Sequence, residues 1–160
     1  MQIELRIFTD SDITEDYLSW LSDRSLMRFS QQTLIDHTEQ TALKYIRELR
    51  ESGGELLSIV VKEENYAIGT VSIRKIREHS LDLGIMIGSR EHKGKGLGLE
   101  AWRQGINHIW ENYDVSKITA GTNLKNLSML RIFEASGMSR YFRKMELGTE
   151  LIYYYLDRPT

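Results

Sequence analysis

The residues best equipped for chemistry stand at 90–100, REHKGKGLGLE, where Gly94, Gly96 and Gly98 alternate with Lys93, Lys95 and Leu97. Glycines at that spacing let the backbone come close to a bound group, and successive N–H groups can converge on one set of anionic oxygens. A β-like segment, LDLGIMIG, precedes the run and a helical one, LEAWRQGINHIWENY, follows it, so the glycines mark a strand-to-helix turn. The unpaired N–H groups and positive end of that helix favour a phosphate there. Spacing narrows the choice of phosphate. The nucleoside-triphosphate pattern G-x-x-x-x-G-K-[ST] fails, because no glycine of the turn is followed by Lys-Ser or Lys-Thr. The dinucleotide pattern G-x-G-x-x-G starts correctly at Gly94 and Gly96 but meets Leu99 where its third glycine belongs. A third pattern begins at Lys93: a basic or amide residue, two spacers, Gly96, one spacer, Gly98.

Around this turn the chain must supply a strand that ends and a helix that begins. IELRIF alternates as a strand; Asp10, Ser11 and Asp12 offer caps to a helix carrying Ile13, Tyr17, Leu18 and Leu21. Asp36 stands three residues before Glu39 at capping-box spacing, and a second helix is expected from about Thr38 to Glu51, ending at Gly53-Gly54. ELLSIVVKE, YAIGTVSIRKI and SLDLGIMIG read as an antiparallel meander. Leu99, Trp102, Ile106, Ile109, Trp110 and Tyr113 recur at three and four residues and give the next helix a wide apolar face. KITAGT is a short strand, Asn126 caps a helix that Gly137 stops, and two strands joined through Gly148 close the chain. The expected fold class is α/β, an α+β mixed sheet of about seven strands with four helices, rather than a doubly wound alternation. The long helix can return SLDLGIMIG to KITAGT as parallel neighbours, with the glycine turn at their carboxyl ends.

Composition sets the outer bounds. The 160 residues, 41% apolar, suffice for one domain spanning 1–160 with a proper core. Lys and Arg number 21 against 23 Asp and Glu, so no global field draws the chain to nucleic acid or to an anionic membrane. There is no cysteine, which removes thiolate metal sites and cysteine nucleophiles. No apolar run approaches the ~18 residues of a spanning helix and the start lacks a signal pattern, so a cytoplasmic protein is expected.

The turn from Lys93 to Gly98 resembles the pyrophosphate-binding motif of the GNAT superfamily of acyl-CoA N-acyltransferases, with lysine where that family usually has glutamine or arginine. The order of elements is similar to the family's over nearly the whole chain, and NLSMLRIFEASGM, with Asn126 and Gly137 eleven residues apart, resembles its later helix motif. LRIFTDSDI, HTEQTALKYIRE, IGTVSI and LGIMIG look most like the bacterial ribosomal-protein N-terminal acetyltransferase branch. The resemblance implies a GNAT-type fold whose central parallel strands splay apart, with acetyl-CoA as co-substrate lying in the gap, no metal, and an amine acceptor.

It also implies roles for residues. Lys93, Gly94, Lys95, Gly96, Leu97 and Gly98 would hold the diphosphate, Asn126 would lie beside the cofactor arm, and backbone N–H groups near Met86 or Ile87 would polarise the thioester carbonyl. Arg90, Lys125 and Arg131 could meet the remaining phosphates. Direct attack in a ternary complex calls for a base, and Asp82 is first in line, sharing a strand face with Gly84 and Met86. The family's acid, a tyrosine seven residues after the asparagine, is Phe133 here, which leaves Ser128, a water or an unassisted thiolate. His37, His92 and Glu100 are expected to be solvated or dipole-favoured residues rather than catalysts. The stretch LSDRSLMRFSQQTLIDH would read the acceptor, either a protein amino terminus or a small amine such as an amino sugar, and the late strands leave a homodimer open. The alternative to catalysis is an acyl-CoA-binding sensor.

Overall fold

The computed structural model describes residues 2–30 and 36–160, so positions 31–35 of the expected acceptor-reading stretch lie outside the described residues. One sheet of seven strands carries everything else: β1 (Ile3–Ile7), β2 (Glu55–Val61), β3 (Tyr66–Arg77), β4 (Ser80–Ile87), β5 (Lys117–Asn123), β6 (Ser139–Glu146) and β7 (Thr149–Asp157). Their spatial order is β1-β2-β3-β4-β5-β7-β6, antiparallel throughout except where β5 lies parallel to β4. Four α-helices stand among the described residues: α1 (Glu15–Ser22), α2 (Glu39–Glu51), α3 (Leu97–Asn112) and α4 (Leu127–Ala135). None of them is long and apolar enough to cross a membrane.

Strand alternation divides the core in two. Leu57, Ile59, Val71, Leu81, Ile118 and Tyr154 face the apolar stripe of α3, including Ala101, Trp102, Ile106 and Ile109, and the inner side of α4. Trp102 is fully buried, and at about 25 cal/mol per Å² an indole covering roughly 200 Å² contributes on the order of 5 kcal/mol. On the opposite face Phe8, Tyr17, Ala42, Ile46, Leu49 and Leu56 form a smaller cluster under α1 and α2, with Met86 at its edge. β6 is exposed at all eight positions, so neither helical layer extends over it.

Two helix starts differ from the sequence expectation. Residues 10–12 close into a separate tight turn, in which the Asp12 carboxylate accepts from the Thr9 N–H at 2.7 Å, and α1 is capped by Thr14, whose Oγ1 accepts from the Tyr17 N–H at 3.1 Å. The cap of α2 is Thr38 rather than Asp36: Thr38 Oγ1 accepts from Thr41 N–H at 3.2 Å while Thr41 Oγ1 accepts from Thr38 N–H at 2.9 Å. Two hydroxyls thus make the reciprocal pair expected of an Asp–Glu box, and being next to the first helical residue decided the matter.

Candidate active site

The β4–β5 pair holds together for only three residues, Ser80 with Lys117, Leu81 with Ile118 and Asp82 with Thr119. Beyond them each strand stays bonded to its outer neighbour, β4 to β3 as far as Ile87 and β5 to β7 as far as Asn123. The inner edges of Leu83–Ile87 and of Ala120–Asn123 therefore diverge into a V-shaped gap lined by backbone groups with no strand partner among the described residues. The Met86 carbonyl faces β3, where it would collide with a Cβ on Gly69, and the Gly88 N–H also bonds to β3, at Ile68 O. Alternation then turns the Ile87 N–H, rather than that of Met86, toward the gap.

At the mouth of the gap the glycine turn divides its labour. Gly94 and Gly96 adopt positive φ, +75° and +76°, and a Cβ on either would meet nothing within 4 Å among the described residues. Backbone handedness, not crowding by the protein, requires glycine at both, and the space beside them is open. Gly98 has ordinary helical φ and is small for a different reason: Ile132 Cδ1 of α4 sits 3.3 Å from where its Cβ would be. Gly96 caps α3 with no side chain, which leaves the first-turn N–H groups free to face an anion. Lys93 holds its proton less tightly than usual, through partial desolvation and then the nearby charges of Arg90 and Arg28. Three cations crowd together there, and a bound anion would relieve their repulsion. Arg90 is steadied by Asp23 at 2.6 Å, and that hydrogen bond holds the Asp23 carboxyl below its usual range.

His92 is not the solvated residue expected. It is 4% exposed, with Nδ1 2.6 Å from Ser89 Oγ, Nε2 2.9 Å from Glu64 Oε1 and its ring stacked on Tyr66. The imidazole pins the turn to the β2–β3 hairpin, and on the other side the Trp20 indole lies where a Cβ of Gly88 would stand. His92→Ala should strand the buried Ser89 hydroxyl, lowering stability by about 1–3 kcal/mol and the thermal midpoint by several degrees. An unchanged midpoint would show that the turn holds itself. Next to this anchor a cleft of about 480 Å³ opens, lined by Asp16, Asp23, Glu64 and Glu91 among others.

Asp82 sits where the gap begins. Its Oδ1 accepts from Thr119 Oγ1 at 3.0 Å, and burial raises its pKa to about 6, against the opposing pull of Thr119 and Arg74. A carboxyl with that pKa is mostly ionised at neutral pH yet basic enough to take a proton. Thr119, which orients it, escaped the sequence reading; only strand register reveals it. Asn126 caps α4 by accepting from Met129 N–H at 3.3 Å and donates to Thr122 Oγ1 at 3.1 Å, tying that helix to the inner edge of β5. Ser128 is exposed on the first turn of α4. Phe133 is 1% exposed and wedged between Trp102 at 5.4 Å and Tyr154 at 5.0 Å, so this position belongs to the core. Glu100 and Lys95 are exposed, the former accepting from Gln104.

Comparison with known proteins gives this geometry a family. Residues 2–139 match the model of the acetyltransferase (GNAT) domain. A probable N-acetyltransferase of Bacillus subtilis (strain 168), YjcK, is 24% identical over 119 residues, which cover 72% of this chain and 65% of that relative's length. The chain thus spans a little under two thirds of that relative. Among solved structures, a GNAT-family acetyltransferase from Bacillus anthracis superposes with a TM-score of 0.82 at 18% identity, covering 98% of this chain and 95% of the other. The ribosomal-protein-S5-alanine acetyltransferase of Vibrio fischeri gives 0.79 at 17% identity over 98% and 93% of the two chains. Spermidine N-acetyltransferase from Vibrio cholerae, solved with CoA and spermine, gives 0.84 at 15% identity over 98% and 95%. At such identities these superpositions establish a shared fold.

Proposed function

The chain belongs to the GNAT acetyltransferase family, and from that premise we propose that it moves an acetyl group from acetyl-CoA to a primary amine by direct attack in a ternary complex. The observation that carries this reading is the β4–β5 gap with Asp82 at its apex and the glycine turn at its mouth. The residues suit acetyl-CoA: the open space beside Gly94 and Gly96 and the bare start of α3 fit a diphosphate, with Lys93, Lys95 and Leu97 around it, while Arg28 and Arg90 supply charge. The inner edge of β4 can bond an extended arm as an added strand would, with Asn126 beside it.

In this reading the Ile87 N–H stabilises the oxyanion that forms as the amine attacks. Asp82 receives the amine proton, directly or through a water, as the nitrogen–carbon bond forms; the carbon–sulfur bond then breaks and its electron pair leaves with sulfur. A thiol's pKa of about 8.5 makes that departure feasible without the α4 acid that Phe133 and the exposed Ser128 fail to supply in the usual place.

Charge supports one acceptor class. Asp16, Asp23, Glu64 and Glu91 line the cleft beside the turn together with Arg90 and His92; Asp23 is engaged by Arg90 and Glu64 by His92, and the remaining Asp16 and Glu91 favour a small cationic amine, a polyamine or amino sugar, over an uncharged one. A protein amino terminus is the second acceptor class. The open edge of β6, with Phe142 and Met145 exposed, supports pairing of two copies. Cytoplasmic residence goes with an acetyl-CoA substrate.

Turnover tests the reading directly, because the protein has no cysteine and any thiol released in the assay is CoA's. With spermidine, kanamycin and an alanine-initiated peptide as acceptors, thiol release above the acceptor-free rate is expected for at least one. Acetyl-CoA binding without thiol release for any of the three would favour the sensor, a reading that the buried Phe133 keeps in play.

A further inference from the structure

The sheet face that carries Asp82 holds a second hydroxyl beyond it. On this face the last paired position of β5 is Thr119, and the next is Gly121, opposite Tyr153 of β7. The Tyr153 ring leans over Gly121 so closely that a Cβ there would lie 2.5 Å from Cε1, 2.8 Å from Cδ1 and 3.0 Å from Cζ. Behind the ring Phe142 of β6 stacks at 4.6 Å with 15° between planes. Glycine on one side and phenylalanine on the other hold the ring where it reaches from β7 over β5, the strand that borders the gap. Tyr154 points the other way into the core, where its hydroxyl donates to Glu134, whereas the Tyr153 hydroxyl bonds to no protein group among the described residues.

We propose that Tyr153 is a catalytic residue whose O–H donates a hydrogen bond to the sulfur of CoA as the thiolate leaves. This rests on the acetyl-CoA reading of the gap. The bond strengthens as the carbon–sulfur pair moves onto sulfur, and the proton stays on oxygen: the amine proton goes to Asp82, and the thiolate takes its own from solvent after release. Partial burial first, then the charges of Glu146 on β6 and Asp82 on β4, raise the Tyr153 pKa, so the hydroxyl remains a donor across the neutral range. Charged groups on the neighbouring strands are Arg74 of β3, which faces Asp82, and Lys117 of β5, whose ammonium lies over the Tyr155 ring. The cross-strand glycine is what sets Tyr153 apart from Tyr154 and Tyr155.

The test uses CoA itself, whose thiol is the sole one in the mixture. Thiolate absorbance of bound CoA is followed against pH for wild type, Tyr153→Phe and the exposed control Tyr141→Phe, alongside calorimetric dissociation constants. The thiol of bound CoA is expected to titrate about one pH unit lower in wild type and Tyr141→Phe than in Tyr153→Phe, with thermal midpoint alike in all three and CoA affinity alike at about pH 6, where the thiol, of pKa about 8.5, stays protonated. With an accepted amine, Tyr153→Phe should also lower kcat by about 10–100-fold, leaving KM for acetyl-CoA unchanged. Equal thiol titration in wild type and Tyr153→Phe overturns the assignment while the acetyl-CoA reading stands. No CoA binding by folded wild type would overturn both.

Discussion

Asp82→Asn is expected to lower acetyl transfer by about 10²–10⁴-fold while making the protein more stable at pH 7. Asparagine keeps the size of the side chain and an oxygen for the Thr119 hydroxyl but cannot accept the amine proton. The gain in stability follows from the raised pKa. A carboxyl that titrates at about 6 when folded and near 3.8 when unfolded binds its proton more tightly in the folded state. Stability is therefore lost as pH climbs from about 4 to about 6 and stays lower above that. Two pKa units correspond to at most about 3 kcal/mol, and partial exposure of the side chain trims this to about 1–3 kcal/mol. Unfolding midpoints of wild type and Asp82→Asn should accordingly coincide near pH 4, separate as pH rises to about 6 and stay apart above that. In wild type the acidic limb of kcat/KM should fall with an apparent pKa near 6. Unaltered turnover in the variant, or midpoints that separate only at low pH, would remove Asp82 from the mechanism.

Gly96→Glu is expected to weaken acetyl-CoA binding by roughly 10²-fold or more. At φ +76° any L side chain costs on the order of 1 kcal/mol, which the core can absorb, and the new Cβ meets no atom of the described residues within 4 Å. The carboxylate instead enters the open space at the start of α3, where its charge opposes a diphosphate at about 4–5 Å by a few kcal/mol. Gly96→Asn separates charge from conformation, because asparagine tolerates the left-handed region and is neutral. Asparagine should retain binding within about tenfold. Equal losses in both variants would mean that loop conformation, not the diphosphate cradle, was disturbed.

The parts of this site that sequence made legible are those encoded locally. Alternation along LDLGIMIG fixed which side chains share a face with Asp82, and the three-and-four spacing from Leu99 to Tyr113 fixed the helix that starts at the turn. Even there, local cues overreached where several competed: Thr14 and Thr38 cap their helices although Asp12 and Asp36 stand close by. Gly94, Gly96 and Gly98 read as one motif, yet two serve a backbone conformation and the third a helix contact with Ile132. What stayed hidden depends on residues far apart in the chain. The point at which β4 and β5 part, the Thr119 hydroxyl on Asp82, the burial of His92 against Glu64 and the Tyr153 ring over Gly121 all arise from register between strands. Resemblance to the family supplied the splayed pair in advance, but not which amide faces it.

Whether the gap between β4 and β5 seats acetyl-CoA is read out by calorimetric titration of acetyl-CoA into the wild-type protein. Saturable binding at one site per chain is expected, in the micromolar range usual for enzyme substrates, with affinity falling as salt is raised because cations around the turn meet phosphate. A folded protein that gives no binding heat, and no ligand-dependent rise in thermal midpoint, would contradict it and leave the family fold without the family's substrate.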